Sequence, residues 1–446
     1  MSEGSWSQRE DEDWSFALAS IMSPMTEQPA NRESVARTAL WRNRDFMLLW
    51  SGQMVSGIGT NASGIAFPLL VLALTHSALQ AGLVGALQRL PFLILTLPAG
   101  AMVDRWDRKL TMIVFDAARA VAFAAIPLAA WSGHLTLPLI YVAVLVEGTA
   151  FSFFNLAEAS ALPRVVAEEQ LPGATAQNQM SYALSALIGP PIAGLLFAVR
   201  RTLPFLVDAI SYAASIISLV LIRTEFQGER SAALTTNMRS QVTDGLSWLF
   251  RQPLLRFMAF ITGGVNLAFA GANIIIIVLL QREMQASSST IGLVFGLAAT
   301  GGILGAVGGA WFQKRTTFGR AIMAVMWLEA ILWTLLAAAP NIASVAVIGF
   351  LFFVSAPTYD IVQFSYRLAL IPDDLQGRVN SVYRLIGMGG VPVGQAAAGV
   401  LVQWLGPRAT ILVLGAFLAM LAAAATLSGE VRRAPPVAQA RARLVS

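Results

Sequence analysis

The chain has no cysteine in 446 residues. This excludes a disulfide framework, a thiolate metal site and a cysteine nucleophile. Two histidines, His76 and His134, lie in short polar segments, too few for a histidine zinc site or a Ser-His-Asp triad. Charge is scarce, with 12% Asp, Glu, Lys and Arg, where a soluble domain carries about 25%. Lysine is almost absent: Lys109 and Lys314 stand alone beside arginine. No glycine-rich loop ends in Lys-Ser or Lys-Thr, so ATP is not expected to be the energy source. The net charge of +5 is dispersed over alternate loops, with no basic patch for nucleic acid. No cofactor, metal or enzymatic activity is expected.

What is abundant is apolar sequence, 56% of the chain. About twelve stretches of roughly twenty residues run from Phe46 to Leu427, each long enough to cross a bilayer core as a helix. They fall near 46–74, 79–103, 110–131, 137–161, 175–199 and 203–222, then 255–281, 290–312, 319–339, 342–368, 379–403 and 408–428. The pattern predicts an all-α membrane protein of two six-helix bundles, 41–222 and 255–428. Residues 1–40 and 429–446 read as disordered cytoplasmic tails. The polar linker 223–254 contains an amphipathic stretch, 245–250, suited to a helix on the membrane surface.

Basic residues set the topology. Alternate loops hold Arg105, Arg108, Lys109, Arg164, Arg223, Arg256, Arg315, Arg320 and Arg378, with several more. The other loops hold only Arg200, Arg201, Arg282 and Arg408. This bias places both termini in the cytoplasm, of a bacterial inner membrane by expectation. An even number of spans requires the same side for both.

The halves also repeat one another. Gly189 and Gly194 in helix 5 answer to Gly394 and Gly399 in helix 11. Gly82 in helix 2 answers to Gly292 in helix 8. Two parallel repeats are the plan of a secondary transporter, with its site between the halves at mid-membrane.

After helix 2 come Gly100, Asp104, Arg105, Arg108 and Lys109. This segment resembles the signature between helices 2 and 3 of the major facilitator superfamily. A worn copy, Gly309 with Lys314 and Arg315, stands in the second half. Gly189, Pro190 and Gly194 resemble the helix 5 motif of drug–proton antiporters, with Ala193 where a glycine is usual. Leu162 to Leu171, and the stretch from Phe205 through Asp208, look like the branch holding macrolide efflux proteins and the enterobactin exporter. The resemblance implies proton-coupled export by alternating access, with helices 1, 4, 7 and 10 around the cavity. It also implies that Asp104 and Arg105, joined by Arg108, Asp116 and Arg119, latch the cytoplasmic ends. Gly100 is expected to let two helices approach closely there.

Ionisable groups within a membrane are costly and mark function. In helix 4, Glu147, Phe151, Phe154 and Glu158 recur at steps of three and four, so they share one face. Glu147 is the first candidate for proton coupling, since a buried carboxyl can protonate reversibly. Arg89, at similar depth in helix 2, is its expected partner, and a static pair that fixes packing is the other reading. Asp360 in helix 10 is the second candidate, with a pair to Arg367 or Arg384 as its structural alternative. Gln53, Asn61, Asn266, Asn273 and Gln363 are expected to line the cavity. Asp208 reads as structural, and Glu329 has no assigned role.

The expected function is proton-driven efflux of an amphipathic small molecule: a drug, a macrolide or a siderophore. The expected partners are the bilayer, the substrate and protons, in a monomer. An importer, a lysophospholipid translocator and a non-transporting receptor are the alternatives.

Overall fold

The structure is a computed structural model that describes residues 39–227, 238–372 and 375–434. The predicted tail before residue 39 lies outside these. Among the described residues the fold is entirely helical, and twelve helices are long and apolar enough to span a membrane. In the first half these are α1 (Arg44–Thr75), α2 (Ala78–Val103), α3 (Arg108–Trp131), α4 (Leu137–Val165), α5 (Leu171–Val199) and α6 (Leu203–Leu221). In the second half they are α7 (Pro253–Glu283), α8 (Ser288–Arg315), α9 (Phe318–Ala337), α10 (Ile342–Leu370), α11 (Gln376–Leu405) and α12 (Pro407–Leu427). The predicted spans match within a few residues.

Two helices are broken where the sequence showed only apolar runs. α7 interrupts at Ala270 and Gly271 and ends in a π turn, Leu279–Glu283. α11 interrupts at Gly390, just before Pro392, which has no N–H to continue the ladder. The two breaks lie together. A Cβ on Gly271 would collide with Ala398, and one on Gly394 with the Leu267 carbonyl. The broken helices therefore touch backbone to backbone.

Apolar side chains face outward in stripes, such as Val114, Val121 and Leu128 on α3, or Leu328, Ile331 and Leu335 on α9. Such a surface suits hydrocarbon and no aqueous phase. Exposed Trp131 and Trp404 end α3 and α11 on one face of the bundle. Trp41 and Trp106 lie toward the other, as at two membrane interfaces. We call the face bearing the start of α1 and the end of α12 the near face, and its opposite the far face.

The near-face loops are stapled by backbone capping. Asp45 at the start of α1 accepts hydrogen bonds from the backbone N–H groups of Arg223 and Thr224 and from the Thr224 hydroxyl. Lys109 donates to the Ile222 carbonyl at 2.7 Å, and Arg108 to the carbonyls of Ser160 and Phe226 at 3.2 Å. A cation at carbonyls left over by a helix end is a favourable C-terminal cap. The expected amphipathic linker segment is a helix, Met238–Arg251, with Leu249 buried and Leu246 and Phe250 exposed. Asp244 pairs with Arg378 at 3.2 Å, docking it on the start of α11. Of the predicted C-terminal tail, residues 429–434 are described and 435–446 lie outside the described residues. Gly429–Arg432 forms a short helix, and the fully buried Val431 packs its backbone on Gly319.

Candidate functional site

The halves meet at the far face through two crossings, α2 with α11 and α5 with α8. A Cβ on Gly82 would lie 2.7 Å from Gly399 Cα, and one on Gly194 would lie 3.0 Å from Gly292 Cα. No real side chain tolerates the first distance. These four glycines are among those that repeat between the halves. Gly82 and Gly292 are counterparts, as are Gly194 and Gly399, so one contact is used twice under a pseudo-twofold. Two polar links reinforce it: Arg282 donates to the His76 carbonyl, and the Ala78 N–H to Gln403 Oε1 at 2.8 Å.

The near face is different. Asp104 and Arg105 are exposed, with no side-chain hydrogen bond or ion pair among the described residues. A Cβ on Gly100 would meet nothing within 4 Å. The close approach expected at Gly100 is thus absent, and the latch expected at Asp104 and Arg105 is unengaged. At mid-depth Arg384 lies over Phe92, 5.1 Å from the ring centre. Among the described residues the halves are closed at the far face and show no such crossing at the near face.

Between these ends lies a cavity of about 480 Å³. α1, α2, α4 and α5 supply most of its wall, with smaller contributions from α7, α8, α10 and α11. Of the expected lining residues, Gln53, Asn61, Phe151, Phe154, Glu158 and Asn273 do line it, and so do the coupling candidates Glu147 and Arg89 and Pro190 of the helix 5 motif. Asn266 and Gln363 do not. Asn266 donates to the Gly387 carbonyl at 2.8 Å, bridging the breaks of α7 and α11, and Gln363 hydrogen-bonds Tyr383. Asp360 is exposed two turns beyond the cavity-lining Phe353 on α10, within electrostatic reach of Arg367 and Glu329. Gly189 packs inside the first half, against Asn61 and Ala62 of α1.

The chemical centre of the cavity is Arg119, which the sequence had put in the latch. It lies eleven residues into α3, about 16 Å from the near end. Arg119 Nη1 pairs with Asp116 Oδ1 at 3.4 Å, and Ser215 Oγ donates to Asp116 Oδ2 at 2.7 Å. Its guanidinium stands 5.1, 5.3 and 5.7 Å from the ring centres of Phe154, Tyr212 and Phe151. At such distances the ring faces attract a cation. Phe151 and Phe154 therefore already face a cation of the protein itself.

Four carboxyls surround this cation. Asp116 is its partner, Glu158 feels both Asp116 and Arg119, and Asp208 feels both Arg119 and Glu147. All four are buried, from 0% exposure at Asp116 and Asp208 to 8% at Glu158. Asp208 accepts from Ser63 and from Ser211, the latter at 3.0 Å, which ties α6 to α1. Its position fits the expected structural role. The expected pair of Arg89 with Glu147 is not formed. Arg89 is exposed, and no ion pair joins the two. Two nitrogens of Arg119, Nε and Nη2, are buried without a hydrogen-bond partner. The set carries four acids against one base. Among the described residues no cluster has the makings of a metal site.

The Major Facilitator Superfamily profile matches residues 49–383. The multidrug efflux pump Tap of Mycolicibacterium fortuitum is 27% identical over 403 residues, which is 87% of this chain and 96% of that protein. Macrolide efflux protein A of Streptococcus pyogenes is 24% identical over 401 residues, 87% and 96% of the two chains. The enterobactin exporter EntS of Salmonella typhi is 24% identical over 408 residues, 89% and 95% of the two. Among solved structures, a mutant of the nucleoside transporter NupG superposes with a TM-score of 0.72 at 10% identity, covering 86% of this chain and 99% of that one. A bacterial homologue of the iron transporter ferroportin, inward-facing, superposes at 0.65 and 18% identity, covering 86% and 100%.

Proposed function

Because the chain belongs to the Major Facilitator Superfamily and is a multi-pass membrane protein, we propose that it exports an amphipathic small molecule in exchange for protons. The observation that carries this reading is the acid-rich set around Arg119, two of whose members, Glu147 and Glu158, line the central cavity. The relatives named for efflux support the direction.

The near face is the cytoplasmic one in this reading, since it carries most of the loop arginines. Substrate enters from that side while the glycine crossings close the far face. Its apolar body rests among the apolar wall residues, and its polar groups meet Gln53, Asn61 and Asn273. Binding displaces a proton from Glu147 or Glu158 to the cytoplasm. The halves then rock, the far crossings part, and Asp104 and Arg105 engage the opposite half. Substrate leaves, a proton from outside returns to the carboxyls, and the far face closes again.

Inside-out vesicles with an acidified interior test the cycle. A dye, macrolide or catechol siderophore that is a substrate should release protons from the lumen on addition. Glu147→Gln should remove that release while leaving the amount of folded protein unchanged. An amide keeps the shape but cannot exchange a proton, so at least a tenfold loss of coupled flux is expected. Normal coupled flux in Glu147→Gln and in Glu158→Gln would exclude both carboxyls as the exchange site. Uptake in the opposite sense would indicate an importer, and movement of a lysophospholipid would indicate a translocator.

A further inference from the structure

On the outer side of the second half, α8 and α9 scarcely touch; both lean on α10. The gap between them is a groove of about 390 Å³, separate from the central cavity. Its walls are Trp311 of α8, Leu328 and Leu332 of α9, and Leu351 of α10, with Gly308 in the floor. The groove opens sideways, since Trp311, Leu328 and Leu351 are all exposed. The hydroxyl of Ser355, its most buried polar group, is spent on the Phe352 carbonyl at 2.8 Å. An apolar slot of this kind gives water no partners and suits hydrocarbon.

The near end of the groove is cationic. Arg315, one turn beyond Trp311, lays its guanidinium over that ring, 4.2 Å from the centre. Arg320, at the start of α9, is exposed across the short α8–α9 loop. Neither arginine has a carboxylate partner among the described residues. Basic side chains at headgroup depth, next to an apolar slot running toward the bilayer centre, match an anionic lipid end to end.

We propose that this groove binds an anionic phospholipid, with one acyl chain along Gly308 and Leu332 and the phosphate between Arg315 and Arg320. The reading is independent of what the central cavity transports. Gly308 gives a clean handle. A Cβ there meets nothing within 4 Å, so a side chain enters the slot and leaves the helix packing alone.

Native mass spectrometry of the purified full chain tests this, after delipidation and exposure to equal amounts of phosphatidylglycerol and phosphatidylcholine. The parent should retain phosphatidylglycerol in clear preference. Arg315→Gln with Arg320→Gln should cut that preference at least fivefold, the usual worth of even one interfacial arginine. Gly308→Leu should lower retention of both lipids, because it blocks the chain and not the headgroup. Equal retention of both lipids by the parent would overturn the proposal, as would a preference that survives in the arginine variant. If Gly308→Leu does not elute as folded protein, the arginine pair decides alone.

Discussion

Replacing Arg119 with leucine should end transport and destabilise the protein by about 3–5 kcal/mol, the usual cost of removing one partner from a buried ion pair. Asp116 is fully buried, and its remaining support would be one hydroxyl, from Ser215. Glu158 and Asp208 would lose the same cation. The variant should therefore melt early in detergent, read by thermal unfolding on size exclusion. Arg119→Lys should recover part of the stability, since a cation returns, but not the broad contact of a planar guanidinium with three rings. The double change Arg119→Leu with Asp116→Asn should restore part of the melting temperature, because Asp116 is then no longer a buried charge without its partner, while Glu158 and Asp208 still lack the cation. Transport should stay absent in the double variant. If it transports normally, Arg119 is packing material only and the coupling assignment falls.

The second large effect is expected at the far-face glycines. Overpacking a tight contact costs about 1–3 kcal/mol per site, and distant sites add. Gly82→Ala with Gly194→Ala should cost the far-closed state about 2–6 kcal/mol, and inverting a 99:1 equilibrium takes about 5.5 kcal/mol. Both substitutions act on the same state, because the two crossings are the same contact. The absence of native cysteine makes the readout simple. Ile65→Cys, on the cavity wall in the far half of α1, would be the sole thiol. A membrane-impermeant reagent added on the far side should label it in the double-alanine background and leave it untouched in the parent. Unchanged labelling together with normal transport would mean that these glycines do not close the far face.

Much of this architecture was legible beforehand, for physical reasons. A bilayer sets span length within narrow limits, so twelve apolar runs read directly as α1 to α12. The stripe of Glu147, Phe151, Phe154 and Glu158 followed from helical periodicity, and all four do line the cavity. The partner of Glu147 did not follow. Depth along a helix can be counted in the sequence, but the direction a side chain faces on a different helix cannot. Arg89 has the right depth on α2 and no ion pair with Glu147. Arg119 and Asp116, expected together in the near-face latch, instead pair with one another beside the cavity. Counting the distance of Arg119 from Arg108 would have placed it at mid-membrane. The breaks at Gly271 and Gly390 were hidden because each exists to admit the other helix, which no local pattern in either one announces.

The far crossings contain no ion pair between the halves among the described residues; they are glycine backbone with two hydrogen bonds, from the Ala78 N–H to Gln403 and from the Arg282 guanidinium to the His76 carbonyl. Such a joint has little for salt to screen or pH to titrate. Its resistance to opening is thus a nearly constant threshold under changing conditions. In the proposed cycle acidity acts through the Arg119 cluster at mid-membrane and ionic strength through the charged near-face loops, so sensing and sealing fall at different depths of the same molecule.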